Sequence, residues 1–183
     1  PPIPTESTPQ GTAIAPARCY VPERKNVESP ELSCVFPFGL ADAFDPEVIA
    51  ATWERVVEES GAFRPRVIGE ELLAPSFAGW QCLAPVAASI GRVHDAVVML
   101  TSNAALSNPG FSFPAMWGPA YDAVPDVDHG ANILSTVQLL VARAAHDADV
   151  RAQLPPHWSL RFRLYDDEGR SYSGRISGGV LSL

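Results

Sequence analysis

The sequence predicts a mainly α chain that closes with a short β segment, and three observations carry that prediction. Prolines at 1, 2, 4, 9, 16, 22 and 30 deny the first 35 residues any long helix, because proline has no amide donor and its ring clashes with the preceding helical turn. Apolar residues then recur at helical spacing in about four stretches between residues 46 and 146. After Pro155-Pro156 the period falls to two. Trp158, Leu160, Phe162 and Leu164 alternate with Ser159, Arg161 and Arg163, as in a strand with one buried face.

Each element follows from its residues. Residues 1–35 read as an extended, irregular arm. The first helix runs from about Pro46 to Ser60. Asp45 suits its N-cap, Pro46 the first helical position and Glu47 the positive helix end. Ile49, Trp53, Val56 and Val57 share one face, and Ser60-Gly61 is the stop. A second helix is expected from about Ala78 to Ile90, where Ala84, Ala87, Ala88 and Ser89 permit close packing. Gly91 interrupts, and a third helix runs from about His94 to Leu106, ended by Asn108-Pro109-Gly110. Phe111 to Val127 carries Pro114, Pro119 and Pro125 among aromatics and reads as a long structured loop, a feature of functional regions. A fourth helix follows from about His129 to His146, striped by Ile133, Leu134, Val137, Leu140, Val141 and Ala144. Asp166-Asp167-Glu168-Gly169 reads as a turn, and Tyr172, Ile176, Val180 and Leu181 continue into one or two more short strands.

Composition narrows the function classes. The 183 residues suit one domain, or one domain with a small appendage. A formal net charge of −8 disfavours nucleic acid and anionic membranes as partners. No apolar run approaches the roughly 20 residues of a membrane span. The start, Pro1-Pro2-Ile3-Pro4, has no basic region followed by an apolar stretch, and the missing initiator Met predicts a processed or trimmed polypeptide. Cys19, Cys34 and Cys82 show neither zinc-ribbon nor redox spacing. They read as thiols, with a Cys19–Cys34 disulfide as the alternative.

Chemistry concentrates in one stretch. Trp117, Tyr121, Asp122, Asp126, Asp128, His129 and Asn132 supply two aromatic faces, three carboxylates, an imidazole and an amide just before a helix. Sugars are held by this combination: rings stack on C–H faces, while carboxylates and amides bond hydroxyls. Glycoside hydrolysis needs two carboxylates flanking the scissile bond. Structural readings stand beside this one. Asp126 or Asp128 also suits a helix N-cap, Trp117 and Tyr121 also suit a core, and a metal site at Asp126, Asp128 and His129 has no specific geometry behind it. Two further stretches stand out: Asn26 to Leu32, with Glu31 at a helix start or a pocket edge, and Gly79-Trp80-Gln81, where Trp80 and Gln81 either line a pocket or pack.

Asn26 to Phe38 (NVESPELSCVFPF), Gly79-Trp80-Gln81 and Phe113 to Gln138 (FPAMWGPAYDAVPDVDHGANILSTVQ), in this order, resemble the C-terminal third of bacterial α-L-fucosidase-like glycosidases related to glycoside hydrolase family 95. The later LPPHWSLRFRLYDDEG is similar to that group's closing segment. The resemblance implies a portion of an (α/α)6 toroid, a six-hairpin architecture, over 1–153, with the start of a C-terminal β domain over 154–183. It implies an inverting mechanism in which Asp126 activates the water, with Asp128 as the second match to that position. Trp117, Tyr121, Asp122, Asp128, His129, Trp80 and Gln81 would line the sugar subsite, and Glu31 its wall. The general-acid Glu of such enzymes would lie on an upstream segment, so the chain is expected not to catalyse alone. The implied partners are an oligosaccharide or glycan and that upstream part of the same enzyme; no cofactor or metal is implied, and the implied location is secreted or periplasmic, with the cytoplasm as the alternative. Ala123, Ala131 and Ser33 depart from the family's Trp, Gly and Tyr, which favours the alternative of a non-catalytic carbohydrate-binding or scaffolding fragment.

Overall fold

The computed structural model describes residues 3–21, 29–60, 66–68, 71–73, 82–105, 127–166 and 168–183, with the backbone alone for 66–68, 71–73, 103, 105 and 127–129. The arm is not irregular throughout. β1 (Thr5–Thr8) and β2 (Gly11–Ile14) form an antiparallel hairpin, in register from Thr5 opposite Ile14 to Thr8 opposite Gly11. Of the prolines that suggest irregularity, Pro4 and Pro16 flank this hairpin and Pro9 stands in its turn, where no ladder amide is required. Gly11 takes a φ of +126° after the turn, a conformation that side chains resist.

The hairpin lies on α1 (Pro46–Ser60), which spans the residues expected of the first helix. Asp45 Oδ1 accepts the Glu47 amide at 3.0 Å, and Pro46 opens the helix. Ile49, Thr52, Trp53 and Val56 are its buried face. Trp53 is 1% exposed, and burying so large a side chain is worth roughly 1.5–3 kcal/mol. Ile14 joins that face, its amide donating to Thr52 Oγ1 at 2.8 Å.

A second small hairpin pairs β3 (Arg66–Ile68) with β4 (Glu71–Leu73). Strands this short show no alternation to read in the sequence. α2 (Leu83–Ser89) then forms the centre, with every residue from Leu83 to Ala88 buried. α3 (Val93–Ala105) and α4 (Val127–His146) both pack on it. Its alanines are what permit two helices to approach so short a third. Asp147 Oδ1 accepts the Asp149 and Val150 amides at 3.0 and 3.1 Å, starting α5 (Ala148–Ala152), which the sequence pattern does not separate from α4.

The C-terminal segment is a three-stranded antiparallel sheet in the order β5 (Ser159–Tyr165), β6 (Ser171–Ser177), β7 (Val180–Ser182). Leu160, Phe162 and Leu164 point inward as their alternation predicts, with Ile176 fully buried opposite Leu160. The turn between β5 and β6 is closed by Asp166, which accepts from the Glu168 and Arg170 amides.

The expectation of a partial toroid is overturned. The described residues form a small α/β protein with five helices, two hairpins and one three-stranded sheet. The physical reason lies in what covers the helices. α1 is covered by the β1–β2 hairpin rather than by a neighbouring ring helix. Ile14, Trp53, Val86, Leu140 and Ile176, drawn from the hairpin, three helices and the C-terminal sheet, belong to one core cluster. The buried face of α1 is thus covered by the chain's own hairpin, and α2 by α3 and α4.

Candidate functional site

Three stretches carry the chemistry in the sequence: 26–38, 79–81 and 113–138. Residues 79–81 lie outside the described residues, but described residues of the first stretch and Asn132 of the third both approach Cys82, the next residue in the chain. Pro30–Leu32 forms a 3-10 turn, and the turns that follow carry the chain to Phe38. Cys82 directly precedes α2 and follows Gln81 in the sequence. Its thiol donates to Asn132 Oδ1, on α4, at 3.7 Å. A cavity of about 200 Å³ opens at this junction, with Ser29, Leu32, Ser33, Phe36, Cys82 and Val86 in its lining. Two hydroxyls, a thiol and one aromatic ring face an otherwise aliphatic hollow. Enclosing pockets for drug-sized ligands run to roughly 300–1,000 Å³, so this hollow holds one small ring.

Glu31 is described in full, and its side chain is not at a surface. It is 0% exposed and its Oε1 lies 3.2 Å from Arg55 Nη2. Arg55, itself 7% exposed, also binds Glu6 Oε1 through Nη1 and donates from Nη2 to the Ile14 carbonyl at 2.6 Å. Tyr20 donates its hydroxyl to the same Glu6 oxygen at 2.7 Å. The group therefore ties hairpin, α1 and the 3-10 turn together. The bond to Glu6, with burial second, raises the Tyr20 pKa above its ordinary value. Buried carboxylate and guanidinium stabilise little in net terms, yet removing either strands the other.

The other expected site residues are placed less fully. Asp128 and His129 lie in the first turn of α4, which starts at Val127 rather than at His129. Asp128 is thus inside the helix and not at its N-cap. Trp80, Gln81, Trp117, Tyr121, Asp122 and Asp126 lie outside the described residues, as does the carboxylate–imidazole combination weighed for a metal. Among the described residues no three His, Cys, Asp or Glu side chains converge on a metal position, and no helix is long and apolar enough to cross a membrane. All three cysteines are thiols, Cys19 exposed and Cys34 buried, so the Cys19–Cys34 disulfide does not form. Burial pushes the Cys34 thiol pKa up, and it donates to the Glu31 carbonyl at 3.4 Å.

Sequence reasoning missed Arg55 and Cys82. Arg55 left a readable signal: it stands between Thr52, Trp53 and Val56 at the margin of an apolar stripe, where a charge needs a partner. Cys82 left none, since a lone cysteine beside a helix start has no preferred role. No protein-family model, curated protein or solved structure matches this chain.

Proposed function

We propose that the chain binds carbohydrate, with the 113–138 stretch as the stacking and hydrogen-bonding floor and the Cys82 junction as its inner end. The observation that supports this reading is the position of Cys82, which lines one small cavity with Ser29, Leu32, Ser33 and Phe36 and reaches Asn132 on α4. A sugar ring placed there would meet the Phe36 face and the hydroxyls of Ser29 and Ser33. Binding without hydrolysis is the better-supported form. Asp126 as a water-activating base requires a general acid across the scissile bond, and the toroid that would supply one from an upstream segment is not what these helices build.

Calorimetry against a glycan panel tests the reading, with product release followed in the same samples. Saturable binding without hydrolysis is the expected result, and Trp117→Ala and Phe36→Ala should each weaken it by about tenfold or more, the loss of one ring contact. No binding across the panel sinks the proposal. Hydrolysis that Asp126→Asn lowers by about two decades would instead restore the glycosidase reading.

A further inference from the structure

A second hollow lies at the C-terminal end of α2, and nothing in the carbohydrate reading uses it. Its volume is about 370 Å³, inside the roughly 300–1,000 Å³ range of small-molecule pockets. Phe44, Ile49 and Ile90 give it an apolar floor. Arg92 and Arg143 enter from the α2–α3 turn and from α4, and Asp42 stands at its margin. In a chain of net charge −8, two guanidinium groups converging on one apolar hollow call for an explanation.

Neither arginine is consumed by the fold. Arg92 is 39% exposed, bound through Nη2 to the exposed Glu54 and 4.0 Å from Asp95 through Nη1. Arg143 is 40% exposed, 3.6 Å from Asp147 through Nε, and donates from Nη1 to the Ser89 carbonyl. Exposed pairs of this kind are worth about 0–1 kcal/mol, so a ligand carboxylate can replace or share them at little cost. The backbone also holds Arg143 in place. Gly91 has a φ of +79°, and a Cβ there would stand 3.2 Å from Arg143 Nε and 3.4 Å from Nη2. The guanidinium thus lies close over a glycine, and Nη2 has no acceptor among the described residues.

We infer that this hollow, between the start of α1, the C-terminal end of α2 and α4, binds a small organic monocarboxylate with an apolar body, such as a medium-chain fatty acid. The guanidinium fork matches a planar carboxylate in two parallel hydrogen bonds, while Phe44, Ile49 and Ile90 take the apolar body out of water. Asp42 and the carboxylates already beside both arginines disfavour a dianion, and inorganic phosphate leaves the apolar floor bare.

Titrating the full chain with octanoate, followed by calorimetry and amide shifts, tests the inference independently of any glycan. Saturable binding is expected, with shifts at Ile90, Arg92 and Arg143. Arg92→Gln and Arg143→Gln should each weaken it by about tenfold, the loss of one charge-assisted pair. Ala50 is exposed and borders the hollow, so Ala50→Phe should fill it without disturbing the core and abolish binding. 1-Octanol and inorganic phosphate should each bind far more weakly than octanoate. Absence of saturable octanoate binding overturns the inference. So does binding that Ala50→Phe and Arg143→Gln leave unchanged, or a phosphate affinity equal to that of octanoate.

Discussion

The N-terminal hairpin and the C-terminal sheet both lay antiparallel strands on the helices, yet they are held in opposite ways. The hairpin is anchored by buried polar groups: Arg55 between Glu6 and Glu31, and Thr52 against the Ile14 amide. The sheet is anchored by an apolar face, with Ile176, Leu160 and Phe162 inward, and its ion pairs among the described residues, Arg170 with Asp166 and Glu168, stand at an exposed turn. Apolar burial tolerates small adjustments because it has no direction. A buried charge does not, because each partner's desolvation is offset only while the other is in place. The two regions should therefore fail differently.

The largest effect is expected at the hairpin. Glu31→Ala leaves Arg55 buried with only the partly exposed carboxylates of Glu6 and, at 3.9 Å, Glu59, and should cost about 3–5 kcal/mol in a denaturant titration. The double variant Glu31→Leu with Arg55→Met should recover most of that loss, because an apolar pair of similar size has no charge to strand. A single variant with the stability of the parent would show that the hairpin is not tied in this way.

The sheet should respond to shape rather than charge. A Cβ at Gly174 would stand 2.5 Å from Phe162 Cζ and 2.6 Å from the Ser182 carbonyl oxygen, one contact to a ring and one to backbone. Gly174→Ala should therefore cost about 1–3 kcal/mol. Amide exchange should quicken across β5, β6 and β7 while β1 and β2 keep their protection. Uniform loosening of both regions would break the contrast.

The smallest effects concern pH, and they have opposite signs. Tyr20 has a raised pKa, chiefly from its bond to Glu6. Its contribution is present below the ordinary tyrosine value of about 10 and is lost as pH rises through the raised one. Asp166 has a lowered pKa, chiefly from the Arg170 side chain and then the Arg170 amide. Its contribution is present above the ordinary Asp value of about 3.9 and is lost as pH falls through the lowered one. Melting temperatures across pH should show Tyr20→Phe flattening the alkaline limb and Asp166→Asn flattening the acid limb. If both variants track the parent at both ends, neither group couples to folding.

The contrast also explains what was legible beforehand. The alternation around Phe162, the turn at Asp166 and the cap at Asp45 are written within a few residues of one another, and the structure has them where the spacing predicts. The β1–β2 hairpin was hidden by its own prolines. The toroid was implied by the family resemblance rather than by any local pattern, and it fails where the β1–β2 hairpin covers α1. Of the candidate site, the three stretches were legible as residues, but not the approach of the first and third to Cys82.

The sequence by itself determined where α1, α3, α4 and the C-terminal strands run, because caps, stripes and alternation act over one or two turns of chain. Only the tertiary structure decided what covers each apolar face, which carboxylate Arg55 binds and that Arg92 and Arg143 share one hollow. Those pairings join residues dozens of positions apart, and the free energy that selects them comes from burial and desolvation of the assembled core, which no local spacing encodes.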